Sequence, residues 1–444
     1  MVAQHKNRWW ATAGVAVAAT ALLAAIPAIS PSRSPLAAPS ATATEQRLTP
    51  FEDCGRLTRW YVEQALPDVT AWGLGGGDGP IMLELARDGA AMGAVPESGS
   101  AAGDVAAVGN GDTGTNVQEA GVDEPDVAKL DGDGLVVSIQ GNRLVITDVS
   151  GEAPRQVGEH VLSTGRWSHE LLIVGDTAIV LGTLPNYYPA YHDVITVDRA
   201  LPSGGGSASM IVTLDISDAS EPQLTSREKY SGSIASAREH DGTVRVVLSS
   251  SPQFDFVDPY GRRYDRRYDR QEAKARNREI VNESSARDWL PRRGVDNRGQ
   301  GGEPLLSCDS VTHPDKGAGL GTISVLTLDP ESPHTPDAVG VSAEGSLVYA
   351  SADRLYVSTI RGGWDFWSTR GNDWRHPQTE VHAFATEGTE TAYVASGSVP
   401  GIAPDRWAFS EYDGRLRVAT KRDGPDQSND SAVTVLEEQG SKLI

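Results

Sequence analysis

Apolar and polar positions alternate in short runs along most of this chain, and the runs are too brief for helices. Between Thr115 and Gly151 a polar turn, Asp131-Gly132-Asp133-Gly134, leads into the apolar run Leu135 to Ile139. A second turn, Gly141-Asn142, leads into the alternating run Leu144 to Asp148. Short Val, Ile and Leu runs bounded by Gly, Asn and Asp predict antiparallel hairpins, because those turn residues accept the backbone angles a reversal needs. The phrase returns at Leu171-Leu172 with Ala178 to Leu181, at Val244 to Leu248, at Leu347 to Tyr349 and at Leu416 to Ala419. Several copies are followed by a strand ending in Asp and a turn, as in Val145 to Ser150, Ile211 to Ser217 and Ser324 to Asp329.

The turn glycines Gly132, Gly175 and Gly242 mark a repeat. A period of about 40 to 50 residues with loop insertions predicts an all-β propeller of four-stranded blades. A pair of β-sandwich domains is the alternative, since both folds use short strands and turns. About five blade starts can be counted, the last hardly begun. An unclosed ring would expose strand edges, so the chain is expected to be a truncated or split reading frame.

Two stretches depart from the pattern. After Pro50 to Cys54, the residues Leu57, Trp60, Tyr61 and Gln64-Ala65 follow at helical spacing and predict a short amphipathic helix. Gly73 to Gly114 is Gly-, Ala- and Asp-rich and reads as loop, with only Ile81 to Leu85 resembling structure. Asp258 to Arg293 interrupts the third repeat, and Tyr264 to Asp288 within it has the composition of an exposed helix. Arg262 to Arg278 carries eight basic and three acidic side chains. That run reads as a solvated helical excursion rather than a basic patch for an anionic polymer. The expected organisation is therefore a leader and linker (1–43), a helix with a low-complexity segment (44–114), and a propeller (115–444) with an insertion (258–293).

Charge narrows the partners. The 444 residues hold 60 acidic and 39 basic side chains, a net charge of −21. Phosphate binding needs a basic face, so nucleic acid is excluded as the expected partner. Lys6 and Arg8 precede an apolar run, Ala11 to Ile29, followed by small residues, which is the order of a secretory signal. Cleavage after Ala43 would give a secreted protein; without cleavage the run is long enough to anchor it in a membrane. In an exported chain the two cysteines, Cys54 and Cys308, read as one disulfide; two unrelated buried thiols are the alternative.

Several longer phrases resemble the secreted prokaryotic proteins that carry a β-propeller domain distantly related to WD-40 repeats. They are Thr115 to Gly134, Phe51 to Cys54, Asp288 to Pro291, the Cys308 segment before Gly319 to Ile323, and Tyr393 to Gly401 running into Ser410 to Thr420. The resemblance covers nearly the whole mature chain. It implies the propeller fold and export, and it implies no reaction and no catalytic residues. Members that this chain resembles continue past the Arg417-Val418-Ala419-Thr420 strand, whereas here the chain ends at Ile444.

Candidate chemistry is sparse. No HExxH, G-x-S-x-G or Walker loop occurs, and Ser226-x-x-Lys229 lacks the companion motifs of a serine–lysine enzyme. His169-Glu170 and Glu239-His240 are neighbours beside turns and read as surface or blade-packing residues. Asp131 and Asp133 could begin a calcium loop, but the remaining ligands of that loop are missing, and no other cofactor is expected. Two loops are aromatic: Tyr187, Tyr188 and Tyr191 near His192, and Trp364, Trp367 and Trp374 around Phe366. Rigid rings on loops contribute contact area at low entropy cost, so these six are the expected ligand-binding residues. The expected function is an exported non-catalytic scaffold binding a protein or glycan at the cell envelope. The alternative is a hydrolase or dehydrogenase with a site at the central channel, which would need convergent carboxylates or a cofactor-docking motif on the inner strands, and the sequence displays neither.

Overall fold

The computed structural model of the chain describes residues 48–74, 117–163, 167–184, 208–257, 259, 268–314, 319–330, 336–361, 377–423 and 429–444. Strand β1 (Thr49–Pro50) precedes helix α1 (Cys54–Ala65), where Asp53 caps the first turn by accepting the Arg56 N–H. Leu57, Tyr61 and Ala65 recur at three- to four-residue spacing and are buried, so the helix read from the sequence is present with its apolar stripe inward. A small pair, β2 (Val69–Thr70) and β3 (Gly73–Leu74), follows.

Five sheets then succeed one another. The first holds β4 (Ala128–Leu130), β5 (Leu135–Gln140), β6 (Arg143–Asp148) and β7 (Arg155–Val161) in sequential antiparallel order. The second holds β8 (Ser168–Val174), β9 (Thr177–Thr183), β10 (Ala208–Asp215) and β11 (Gln223–Ser231). The third begins with β12 (Ser233–His240) and β13 (Thr243–Ser250). An excursion follows, with α2 (Arg270–Asn282), α3 (Ala286–Trp289), β14 (Arg292–Val295), β15 (Gly301–Pro304) and β16 (Val311–His313), before β17 (Thr322–Leu328) and β18 (Asp337–Val341) complete the sheet. The fourth holds β19 (Gly345–Ala350), β20 (Arg354–Arg361), β21 (Gln378–Ala385) and β22 (Ala392–Pro400). The fifth holds β23 (Phe409–Tyr412), β24 (Arg415–Asp423) and β25 (Asn429–Gln439), and β26 (Lys442–Leu443) stitches it to β22. The fifth sheet, expected to be hardly begun, therefore has three strands, the last of 11 residues.

The inner and middle strands turn apolar faces toward the neighbouring sheets, so the core is a series of layers between blades. Val137, Leu144 and Ile146 of the first blade meet Leu171, Val180 and Val212 of the second. Leu172, Ile179 and Ile211 meet Val244, Val246 and Leu326. Val247, Ile323 and Val325 meet Leu355, Val357 and Phe384, and Tyr356, Val381 and Ala395 meet Phe409, Leu416 and Leu436. This repeated face-to-face stacking of four-stranded meanders is the propeller architecture.

The excursion differs from the exposed helix expected of Tyr264 to Asp288. Helix α2 is docked: Ala273, Asn277 and Val281 are buried at spacings of four, against residues that include Leu57 and Tyr61 of α1. Asn277 accepts the Val257 N–H (2.9 Å) and donates to Val257 O (3.0 Å) and Thr70 O (3.1 Å). Charged residues cover only its outer face, and composition averages the two faces together. Arg262 to Arg267 lie outside the described residues. Asn277→Ala strands Thr70 and Val257 groups in a dry site, so a loss of about 1–3 kcal/mol in urea unfolding is expected.

Candidate functional site

Strand direction sorts the connections onto two ends. In blades two, three and four the second and third strands are joined by long segments, anchored at Thr183 and Ala208, Ser250 and Thr322, and Arg361 and Gln378. The links from one blade to the next leave from this same end. At the opposite end the first and second strands meet in tight turns. Asp241-Gly242 and Asp413-Gly414 take positive φ at both residues (47° and 76°, 52° and 68°), which an Asp-Gly reversal tolerates and most residues do not. Both aromatic loops predicted to bind ligand thus spring from the loop-bearing end. Tyr187, Tyr188, Tyr191, Trp364, Trp367 and Trp374 themselves lie outside the described residues.

Asp131 and Asp133 occupy the turn end. The Asp131 carboxylate accepts the backbone N–H groups of Asp133 (3.1 Å) and Leu135 (2.7 Å), which shapes the turn. Among the described residues no group of three or more His, Cys, Asp or Glu side chains is placed to hold a metal ion. Ser226 and Lys229 lie three apart on strand β11, hence on opposite faces; Ser226 donates to the Thr213 hydroxyl and Lys229 to Asn297 Oδ1. His169 and Glu170 also part: His169 is buried with lowered basicity from desolvation, while Glu170 points the other way and keeps contact with solvent, partly desolvated beside Asp126 and Arg406.

The centre holds what sequence reasoning missed. Residues Val117 to Leu130 form a strap that visits every blade in reverse order. Gln118 Nε2 donates to Arg406 O (2.9 Å) and Phe409 O (3.1 Å) at the fifth blade. Glu119 Oε1 accepts the Tyr349 hydroxyl (2.7 Å) of the fourth. Asp123 bridges Glu239 of the third, Asp126 bridges Leu171 of the second, and Ala128 to Leu130 become the inner strand of the first. Along the strap, Glu124 is buried and pairs with Arg238 (3.2 Å) and Arg406 (2.9 Å). Lys129, buried too, reaches Asp123 Oδ1 (2.7 Å) and Glu124 O (2.6 Å).

Carboxylates therefore do gather at the centre, which the sequence did not display: Glu170 and Glu239 come from the inner strands β8 and β12, and Asp123, Glu124 and Asp126 from the strap. They are drawn from residues far apart in the chain, so no local motif announces them. Five carboxylates (Asp123, Glu124, Asp126, Glu170, Glu239) share the hub with three cations (Lys129, Arg238, Arg406). Burial, and then the charge of Asp126, push the Glu170 carboxyl above the ordinary range, while Arg406 pulls the other way. Burial raises Glu239 as well, with the Gly242 N–H opposing it. At the mouth of the hub on the loop-bearing end stands Trp407, 57% exposed, with the Arg406 guanidinium 4.9 Å from its ring centre. The Asp405 carboxylate fixes the turn by accepting the Trp407 N–H (2.9 Å).

Residues 112–443 match the beta propeller domain family. The chain belongs to that family. Among solved structures it is similar to a functionally unknown protein from Desulfotomaculum acetoxidans DSM 771, at 12% identity and a TM-score of 0.24, covering 72% of this chain and 84% of that one. It is also similar to Saccharomyces cerevisiae Sqt1, at 9% identity and a TM-score of 0.16, covering 69% and 94%. No curated protein sequence matches it. The blades, strap and mouth described above are thus features of a propeller domain that spans most of the chain.

Proposed function

We propose that this propeller is an exported, non-catalytic scaffold that holds a protein or glycan at the cell envelope through its loop-bearing end. One observation carries the reading: three consecutive blades extend the same connection at one end, around a mouth bearing an exposed Trp407, while tight turns close the first and second strands at the other end. Binding residues concentrate on loops held by a rigid scaffold, and exposed aromatics supply the anchors. The hub carboxylates Asp123 and Glu124 are engaged by Lys129, Arg238 and Arg406, as suits a load-carrying centre. The Cys54–Cys308 disulfide fits an oxidising compartment, which supports export. Binding of this kind needs no cofactor.

The test is a screen of the purified chain against glycan and peptide arrays, followed by titration of the best ligand. Trp407→Ala, or Trp364→Ala with Trp367→Ala, is expected to weaken binding at least about tenfold, as loss of an aromatic anchor does. Tyr412→Ala, at the turn end, leaves it unchanged. The reverse pattern overturns the proposal.

A second reading is a hydrolase working at the centre, and one observation favours it. Glu170 has a carboxyl pushed upward beside Asp126, the condition a general acid requires. Turnover of a hydrolase substrate panel that disappears in Glu170→Gln would establish it in place of the scaffold.

A further inference from the structure

The hub has negative charge left over at its loop-bearing end. Asp123 is matched by Lys129, and Glu124 by Arg238 and Arg406. Asp126 and Glu170 are not matched: among the described residues neither has a Lys, Arg or His within ion-pair distance. The two are neighbours, because Asp126 exchanges both backbone hydrogen bonds with Leu171 (3.1 and 2.7 Å), the residue after Glu170. Asp126 spends one oxygen on the Val127 N–H (2.6 Å), and Glu170 makes no hydrogen bond to the described residues, so both keep acceptor positions open.

Trp407 stands over the same opening. Glu170 lies near the start of β8 and Trp407 just before β23, and both inner strands begin at the loop-bearing end. Arg406 links the two: its guanidinium is 2.9 Å from Glu124, 4.9 Å from the centre of the Trp407 ring, and near enough to Glu170 to draw that carboxyl downward. Arg406 covers one face of the ring, and the residue is still 57% exposed, which leaves the other face to a ligand.

We propose that this mouth receives a cationic side chain, a Lys or Arg at the tip of a partner protein's loop, which lies on Trp407 and is held by Glu170 and Asp126. The inference rests on the scaffold reading above and narrows its ligand from protein or glycan to a basic protein loop. An indole face attracts positive charge through its ring quadrupole. Carboxylates that lack a counter-charge bond an ammonium or guanidinium more strongly than a neutral hydroxyl. Burial and the Asp126 charge both work against an ionised Glu170, a penalty that a bound cation removes. Arg406 does not bar the cation, since Glu124 already neutralises it. The net charge of −21 draws basic partners in and repels acidic ones. A metal ion is a poorer occupant, because no three ligating side chains converge among the described residues. A sugar would stack on Trp407 but leave both carboxylates without a counter-charge.

Disulfide-cyclised Gly/Ser peptides that differ only in the tip residue (Lys, Arg, Gln or Glu) test this, titrated into the isotope-labelled full chain with the indole N–H signals as the readout. The Lys and Arg peptides are expected to shift the Trp407 indole and to bind at least about tenfold more tightly than the Gln peptide, with no binding by the Glu peptide. Glu170→Gln keeps the shape and loses the charge, so it abolishes that preference. Trp407→Ala weakens the Lys peptide about tenfold. Binding that ignores the tip charge, or a Lys preference that survives Glu170→Gln, overturns the inference. So does butylammonium that binds as tightly as the Lys peptide, since no protein loop is then needed. Glycan binding that requires Trp407 but not Glu170 overturns the inference and leaves the scaffold standing. Ligands that bind Trp407→Ala and the Trp364→Ala, Trp367→Ala variant as well as the wild type overturn both.

Discussion

Replacing Glu124 with Ala is expected to lower unfolding stability by about 3–5 kcal/mol, the usual cost of leaving one member of a buried ion pair alone. Glu124 is 7% exposed and Arg238 4%. Burial already pushes the Arg238 guanidinium below its ordinary value, and the Glu124 carboxylate is what opposes that push. Without it, the hydrogen-bond acceptors left to this charge among the described residues are Ser236 Oγ and the Ala237 carbonyl, with the Arg406 cation still nearby. The same carboxylate holds Arg406, so third and fifth blades lose their shared tie together. Urea unfolding measures the loss, and a cycle with Arg238→Ala should return a coupling energy on the order of 1–3 kcal/mol. The exposed pair Arg143–Glu159 on the first blade is the control, worth less than about 1 kcal/mol because solvent screens it.

Removing the disulfide by Cys54→Ser with Cys308→Ser is expected to cost about 2–5 kcal/mol. The bridge spans a sequence separation of 254, for which loop-closure entropy alone is on the order of 5 kcal/mol. It also closes a cluster in which Phe51, Leu57 and Tyr61 pack with Phe254, Trp289 and Val311. Tyr61 and Trp289 stack at 5.0 Å, and burial raises the Tyr61 hydroxyl to about 12 while it stays bonded to Thr322 (2.7 Å). Tryptophan fluorescence should therefore report the N-terminal cluster loosening before the blades unfold. A single unchanged transition would show that the bridge adds nothing to this corner.

Blades were legible in the sequence because a hairpin is written locally. Leu135 to Ile139 and Leu144 to Asp148 carry their own turns, and the Asp that ends a third strand caps the next turn: Asp148 accepts the Ser150 N–H, and Asp215 the Ser217 N–H. Helix α1 was legible for the same reason, since Leu57, Tyr61 and Ala65 lie within one stripe. The hub was not. Glu124, Glu170, Arg238 and Arg406 are neighbours only after four blades have folded, and each looks like an ordinary surface charge in its own window. The docked face of α2 was hidden differently, since Asn277 is a polar residue doing the work of a core position. The signal that could have exposed the strap is the set of four acidic residues from Glu119 to Asp126 ahead of Lys129, too dense for a simple strand approach.

The central claim is that residues 117–130 are the keystone of the ring rather than a loosely bound segment lying over it. Hydrogen exchange at the Asp123 and Asp126 amides tests it most directly, because these donate to Glu239 O (2.8 Å) and Leu171 O (3.1 Å) in two different blades. If the strap is the keystone, both amides exchange only through global unfolding, with the same free energy as Val180 and Val246 in the blade cores. Exchange of these two amides through a low-energy local opening, with the blade cores still protected, would contradict it.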